Sequence, residues 1–426
     1  MVQEPQDFHE FMPNEVWKWK ILEEKIEKVL SLHDFQEIRL SILQDSQILE
    51  NGIMALVQGK EADSAMKGVL SLANPEDKLS LLSLRPEGTI SVLHNTARIA
   101  NPGDIHRFYY SGPMFRKVDN NQQMEFYQLG VELLGSDSIL SENEVIDLGI
   151  KLCKTLGLND VRLELNSYGC SNCRRPFFND LHKYLEEHKS EYCLSCYNEL
   201  SANPFSQVHC KDPKCKKSLA EGPLIHNYLC KSCKADFRKV KSIQANLGNQ
   251  YKVNPLLNKN FAYYNKTVFD FIAQNAGKET VIGGGGRYDY LSSLITGKNI
   301  PAVGFYLNLD TIFDIMESQG LFATKDPEFV VYICAESPNL ETMTLQIAQE
   351  LHSQQVKTII SPECKQIKEE IAIAKQNKCP IMIILREDNL REGKVLIRNL
   401  VKEEQNYISL KDTLSTILLA RKSMQS

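Results

Sequence analysis

Three groups of residues in this chain have the types and spacing that chemistry requires. The first is polar. Glu87 and Thr89 sit in Leu84-Arg85-Pro86-Glu87-Gly88-Thr89, where Pro86 and Gly88 break a strand and Thr89 can cap the helix that follows. A carboxylate at such a strand-to-helix junction can meet a ligand amine. Gln128 and Glu132 lie four apart in the alternating stretch Met124 to Leu134, so they face the same side of a strand. The second group is the stretch from Val281 to Leu309. Four glycines, Gly283 to Gly286, precede Arg287-Tyr288-Asp289. Glycines allow positive φ and let main chain approach a ligand or another strand closely. The expectation is a rigid turn that delivers a cation, a phenol and a carboxylate to a pocket wall. The third group is cysteine.

Eight of the twelve cysteines lie between Cys170 and Cys233. Cys170-Cys173, Cys193-Cys196 and Cys230-Cys233 are Cys-x-x-Cys knuckles, and Cys210 with Cys215 forms a looser fourth pair. A knuckle presents two sulfurs from one tight turn. Two knuckles complete a tetrahedral zinc site with bonds of about 2.3 Å, and an all-cysteine site leaves no open position for catalysis. Four pairs can supply two structural zinc sites, and the spacing does not say which pair joins which.

These groups need a scaffold. A chain of 426 residues with 42% hydrophobic content has room for two or three domains with real cores. No stretch approaches the roughly 20 apolar residues of a membrane helix. The polar first residues lack a signal or transit pattern, so a cytoplasmic protein is expected. A net charge of −5 does not mark a general nucleic-acid binder. Apolar spacing predicts helices over Asn14 to Leu32, Ile90 to Ile99, Asn143 to Leu156 and Phe237 to Leu247. Strands are expected over Phe35 to Leu43, Leu79 to Leu84, Arg107 to Phe115, Met124 to Leu134, Val161 to Leu165 and Tyr263 to Phe271. Arg107 to Leu134 reads as an antiparallel hairpin. After a polar linker near Ala323 to Glu328, strands alternate with helices, which predicts a separate α/β domain.

Taken together, these motifs resemble the histidyl-tRNA synthetase family. Leu84 to Thr89 matches its Leu-Arg-Pro-Glu-Gly-Thr. Phe115-Arg116 and Glu125 to Glu132 look like motif 2. Tyr263-Tyr264, followed by Thr267-Val268-Phe269, looks like its tyrosine motif, and Gly284 to Asp289 like its glycine motif. The resemblance implies an α+β fold: a class II synthetase antiparallel sheet flanked by helices, usually dimeric. The core would span residues 1–166 and 236–322, with a Cys-rich insertion at 167–235 and an anticodon-binding-like α/β domain at 327–426. It also implies a histidine pocket. Glu87 and Thr89 would hold the α-amino group, and Arg116 and Gln128 would address the carboxylate side. Glu132, Tyr264 and Tyr288, beside Tyr263, would recognise the imidazole.

The departures fall on the ATP side of that pattern. Val118 replaces the adenine-placing Glu, and the loop from Lys117 to Met124 contains no Arg. Lys259 replaces the catalytic Arg, Thr311 replaces the motif 3 Arg, and Ser41 replaces the motif 1 Pro. Arg is a bidentate fork and Lys a point charge. One missing transition-state donor can cost roughly 100–1,000-fold in rate. An intact amino-acid pocket without ATP chemistry resembles the regulatory subunit of ATP phosphoribosyltransferase, and Ala302 to Asp310 is similar to that subfamily's motif 3. The leading expectation is therefore a non-enzymatic histidine sensor in a homodimer bound to the catalytic subunit, using neither ATP nor Mg²⁺. The alternative is a divergent histidine–tRNA ligase acting on tRNA, and a third reading is a synthetase-derived tRNA- or partner-binding protein. Lys357, Lys365, Lys375, Lys378, Arg386 and Arg391 are offset by acids, which favours a solvated face over an RNA patch.

Overall fold

The computed structural model describes residues 10–54, 68–72, 82–101, 103–117, 124–202, 204, 210–259, 263–322 and 328–425. The chain divides into two units, Met1–Phe322 and Ala323–Ser426. Val118, the rest of the motif 2 loop to residue 123, the start of the strand expected from Leu79, and linker residues 323–327 lie outside the described residues.

The first unit is built on an eight-stranded sheet. Its order is Gln36–Glu37, His106–Phe115, Glu125–Leu134, Ala302–Asn308, Lys278–Arg287, Asn265–Asn275, Arg162–Ser167 and Tyr251–Val253. The strands pair antiparallel except at the two edges, where Gln36 joins Phe108 and Leu163 joins Tyr251 in parallel. Alternation divides the sheet into two faces. Leu129, Val131, Leu133, Val303, Phe305, Leu307, Phe269 and Phe271 share one core with the helices Pro13–Leu32, Ile139–Thr155 and Leu309–Ser318. Each such side chain, fully buried, stabilises the fold by roughly 1.5–3 kcal/mol. The opposite face holds Gln128, Glu132, Gly304 and Gly286, aligned across four strands with Tyr110 opposite Gly130. Every residue from Gln128 to Leu134 is buried, so the polar face of this strand is enclosed rather than solvated.

The strand expected over Phe35 to Leu43 is two short ones, Gln36–Glu37 and Leu43–Asp45. Arg85 takes the intervening backbone: Nη1 donates to the Leu40 carbonyl at 2.8 Å, and the Arg85 amide donates to that of Ile42 at 2.9 Å. Leu43–Asp45, Leu82–Leu84 and Ser71–Leu72 form a separate three-stranded sheet.

The four glycines form no turn. They lie inside the strand Lys278–Arg287, and none has positive φ. Their value is close approach. A Cβ on Gly284 would overlap the Asp270 carboxylate and the Lys259 ammonium, and one on Gly304, opposite Gly286, would overlap the Glu132 carboxylate.

The second unit has a five-stranded sheet in the order Lys357–Ile360, Val330–Ala335, Ile381–Leu385, Lys394–Asn399, Glu404–Ser409. The last strand is absent from the sequence reading because it is an exposed polar edge. No described helix is long and apolar enough to cross a membrane.

Candidate active site

Glu87 closes the gap between the strand Leu82–Leu84 and the helix Thr89–Ile99. Its carboxylate accepts from the amides of Thr89 at 2.7 Å and Ile90 at 3.0 Å. Glu87, not Thr89, therefore satisfies the first amides of that helix, and its charge suits the helix N-terminus. Burial raises the Glu87 pKa, while the two amides pull it back. Freed from capping, the Thr89 hydroxyl donates to Glu132 Oε1 at 2.8 Å.

Glu132 is the centre of the pocket. The Tyr288 phenol donates to its other oxygen, and Tyr110 OH lies 3.5 Å from Oε1. Burial pushes the carboxyl up to about 8 against these donors, and Glu87 nearby pushes in the same direction. Gln128 Nε2 reaches Tyr110 OH at 3.5 Å, while its Oε1 is buried with no hydrogen-bond partner among the described residues. Such an orphaned acceptor costs free energy unless something fills the space beside it. Arg116 donates from Nε to the Pro86 carbonyl at 2.9 Å, with its guanidinium over the Phe126 ring at 4.9 Å. Tyr263, Tyr264 and Tyr288 form a wall with ring centroids 4.8–6.4 Å apart.

Glu87, Thr89, Arg116, Gln128, Glu132, Tyr263, Tyr264 and Tyr288 thus all line one cavity, together with Gly304, Phe305 and Tyr306. Arg287 and Asp289 do not. Arg287 is fully buried and pairs with Asp289 at 2.7 Å and Glu142 at 3.7 Å, locking the end of its strand. Only Tyr288 of that trio reaches the pocket. Tyr110 was not singled out from the sequence, although Gly88 and Gly130, both of which leave room for its ring, were the available signal. Lys259 is buried and ion-paired to Asp270, which lies opposite Gly284, and Gly284 lies opposite Tyr306. A cation therefore stands on the same sheet face as the pocket.

The cysteines form two clusters, Cys170 with Cys173, Cys230 and Cys233, and Cys193 with Cys196, Cys210 and Cys215. Cys170 and Cys230 are the N-cap residues of the helices Ser171–Glu187 and Lys231–Asn246, so each knuckle is a first helical turn. The sulfurs of Cys170 and Cys173 are 3.6 Å apart, and those of Cys193 and Cys210 3.9 Å. Both clusters could hold a metal.

Two acids, a guanidinium, three phenols and an unpaired carbonyl oxygen suit a small zwitterion with a second nitrogenous group. The histidyl-tRNA synthetase family model matches residues 7–172 and 215–312, and an anticodon-binding-domain model matches 328–419. The chain belongs to the histidyl-tRNA synthetase family. It is 29% identical over 416 residues to the histidine–tRNA ligase of Natranaerobius thermophilus and 28% identical over 418 to that of Caldicellulosiruptor bescii. In both comparisons 96% of this chain and 97% of the relative are covered. The structure of apo Staphylococcus aureus histidyl-tRNA synthetase matches with a TM-score of 0.77 at 23% identity, covering 98% of this chain and all of that one. A Bacillus halodurans structure described as an ATP phosphoribosyltransferase regulatory subunit/histidyl-tRNA synthetase matches at 0.61 with 17% identity, over 88% of this chain and 96% of that one, which shows the fold alone.

The regulatory-subunit expectation is overturned by these findings, because full-length relatives of the synthetase family are named as ligases. The expected partner and the exclusion of ATP and Mg²⁺ fall with it. The Lys259 that stands where the family has an Arg is buried and ion-paired to Asp270.

Proposed function

We propose that the chain is a histidine–tRNA ligase. The observation that supports this most is the convergence of all eight histidine-pocket residues on one buried cavity, in a chain that aligns end to end with ligases. Glu87 takes the α-ammonium of histidine, and Glu132, held by Thr89 and Tyr288, takes an imidazole N–H. Gln128 Oε1 gains the donor it lacks. The histidine carboxylate then attacks the α-phosphorus of ATP, which enters with Mg²⁺, and the bond to pyrophosphate breaks. Arg116 and Lys259 offset the negative charge that develops there. A terminal tRNA hydroxyl next attacks the acyl carbonyl, and AMP leaves. Preorganised cations in a site shielded from water make the largest contribution to such a step.

The C-terminal unit serves as the tRNA-reading domain, and the insertion as a structural module. Both cysteine clusters hold zinc in this reading. Tetrahedral ligation at about 2.3 Å places sulfurs about 3.8 Å apart, which the measured 3.6 and 3.9 Å match. Ile42, Leu43, Leu72 and Leu82 are exposed on or beside the three-stranded sheet, which suits a homodimer contact. The site of action is the cytoplasm. The test is charging of tRNA(His) with radiolabelled histidine by the purified protein, which must depend on ATP. Stoichiometric charging supports the proposal, and no charging at high enzyme concentration rejects it.

A further inference from the structure

The first cysteine cluster is built against the back of the tyrosine wall. Gly169 immediately precedes Cys170, and its carbonyl accepts from the Lys266 amide at 3.0 Å, while the Tyr168 amide donates to the Lys266 carbonyl at 2.7 Å. Gly169 adopts a φ of +61°, and a Cβ there would meet Cys173 and Leu229, so only glycine lets the knuckle pack this closely. One residue beyond Cys173, Arg174 donates from Nη1 to the Tyr264 carbonyl at 3.4 Å. Tyr264 and Lys266 flank Asn265, which itself bonds Asp289 at 3.0 Å. The segment that places the Tyr263 and Tyr264 rings is thus tied on one side to the catalytic sheet and on the other to the cluster. The second knuckle joins through the Cys230 amide, which donates to Cys173 Sγ at 3.1 Å.

We propose that Arg174 is a positioning residue for the histidine pocket, and that the Cys170–Cys233 cluster acts on histidine affinity through it. This rests on the reading of the pocket as a histidine site. Arg174 touches no substrate in this scheme. It fixes the Tyr264 backbone, and the helix turn that bears Arg174 is fixed by the cluster sulfurs. Loosening that turn lets the Tyr264 ring leave its position against Tyr288 and Gly286. Binding should suffer, and the chemical step should not.

The experiment is calorimetric titration of L-histidine into the full-length wild-type, Arg174→Ala and Arg174→Lys proteins, with Arg175→Ala, an exposed neighbour on the same turn, as control. Loss of a charged donor to one carbonyl predicts a dissociation constant raised roughly five- to tenfold in Arg174→Ala. Arg174→Lys should recover part of the loss, and Arg175→Ala should match wild type. In steady-state exchange assays KM for histidine should rise by the same factor, with kcat within about twofold of wild type. Thermal melting and metal content of each variant separate this from misfolding: a folded, metal-replete Arg174→Ala protein with wild-type affinity overturns the proposal alone. Failure of the wild-type protein to bind histidine overturns both this proposal and the reading of the pocket.

Discussion

The phenol of Tyr288 donates to the carboxylate of Glu132 across 156 positions of sequence. The contact exists because Gly304, on the strand between them, has no side chain to block it. Thr89 approaches the same carboxylate from a third element. A hydrogen bond to a carboxyl held largely neutral contributes about 0.5–1.5 kcal/mol. Tyr288→Phe should therefore weaken histidine binding by roughly two- to tenfold. Glu132→Ala should weaken it further. Calorimetry checks both, and wild-type affinity in Glu132→Ala would show that the imidazole is held elsewhere.

The same carboxyl should impose a pH signature on stability. Its folded pKa is raised from 4.5 to about 8, chiefly by burial. The folded state thus binds more protons than the unfolded state between those values. Its contribution is fully present below pH 4.5 and is lost as pH rises toward 8. In Glu132→Gln that slope should vanish, so the variant's melting temperature should fall less than wild type's between pH 5 and 8. Parallel melting curves across this range would assign the slope to other groups.

Lys259 is the cation that a comparison of motif letters dismisses. Replacing it by Gln keeps a donor for Asp270 and removes the charge, which limits the penalty of leaving a buried acid unpaired. Histidine-dependent pyrophosphate exchange should slow by roughly 100–1,000-fold. Histidine affinity should stay within about twofold. An unchanged exchange rate would remove Lys259 from the chemical step.

Metal analysis of protein purified without chelator should return two zinc ions per chain. Cys173→Ser should cost one of them, and it should lower the melting temperature because Cys173 is wholly buried where two helices start. A value below one per chain would refute the zinc reading.

Much of the site was legible in the sequence because alternation is reliable in a long hairpin. A separation of four positions puts Gln128 and Glu132 on one face, and the strand Glu125–Leu134 has that geometry. The pairing of knuckles was not legible. It depends on two helices, at Ser171 and Lys231, starting side by side. The role of the glycine run was misread for a similar reason. Positive φ is a local property, whereas crowding by Asp270 and the Gly304 carbonyl comes from neighbouring strands, and that by Lys259 from a separate segment. Thr89 looked like a helix cap because its type favours that role, but the buried Glu87 two residues earlier takes both free amides. The regulatory reading failed against full-length relatives that are named as ligases. That Lys259 replaces an Arg was visible, but its burial and its ion pair with Asp270 are tertiary facts.

The central claim is that this pocket activates histidine with ATP. The most direct measurement is histidine-dependent exchange of radiolabelled pyrophosphate into ATP by the purified, metal-replete protein. The account predicts exchange that saturates with L-histidine, is absent with other amino acids and collapses in Glu132→Ala. No exchange above background, from a protein that still binds histidine, would contradict it.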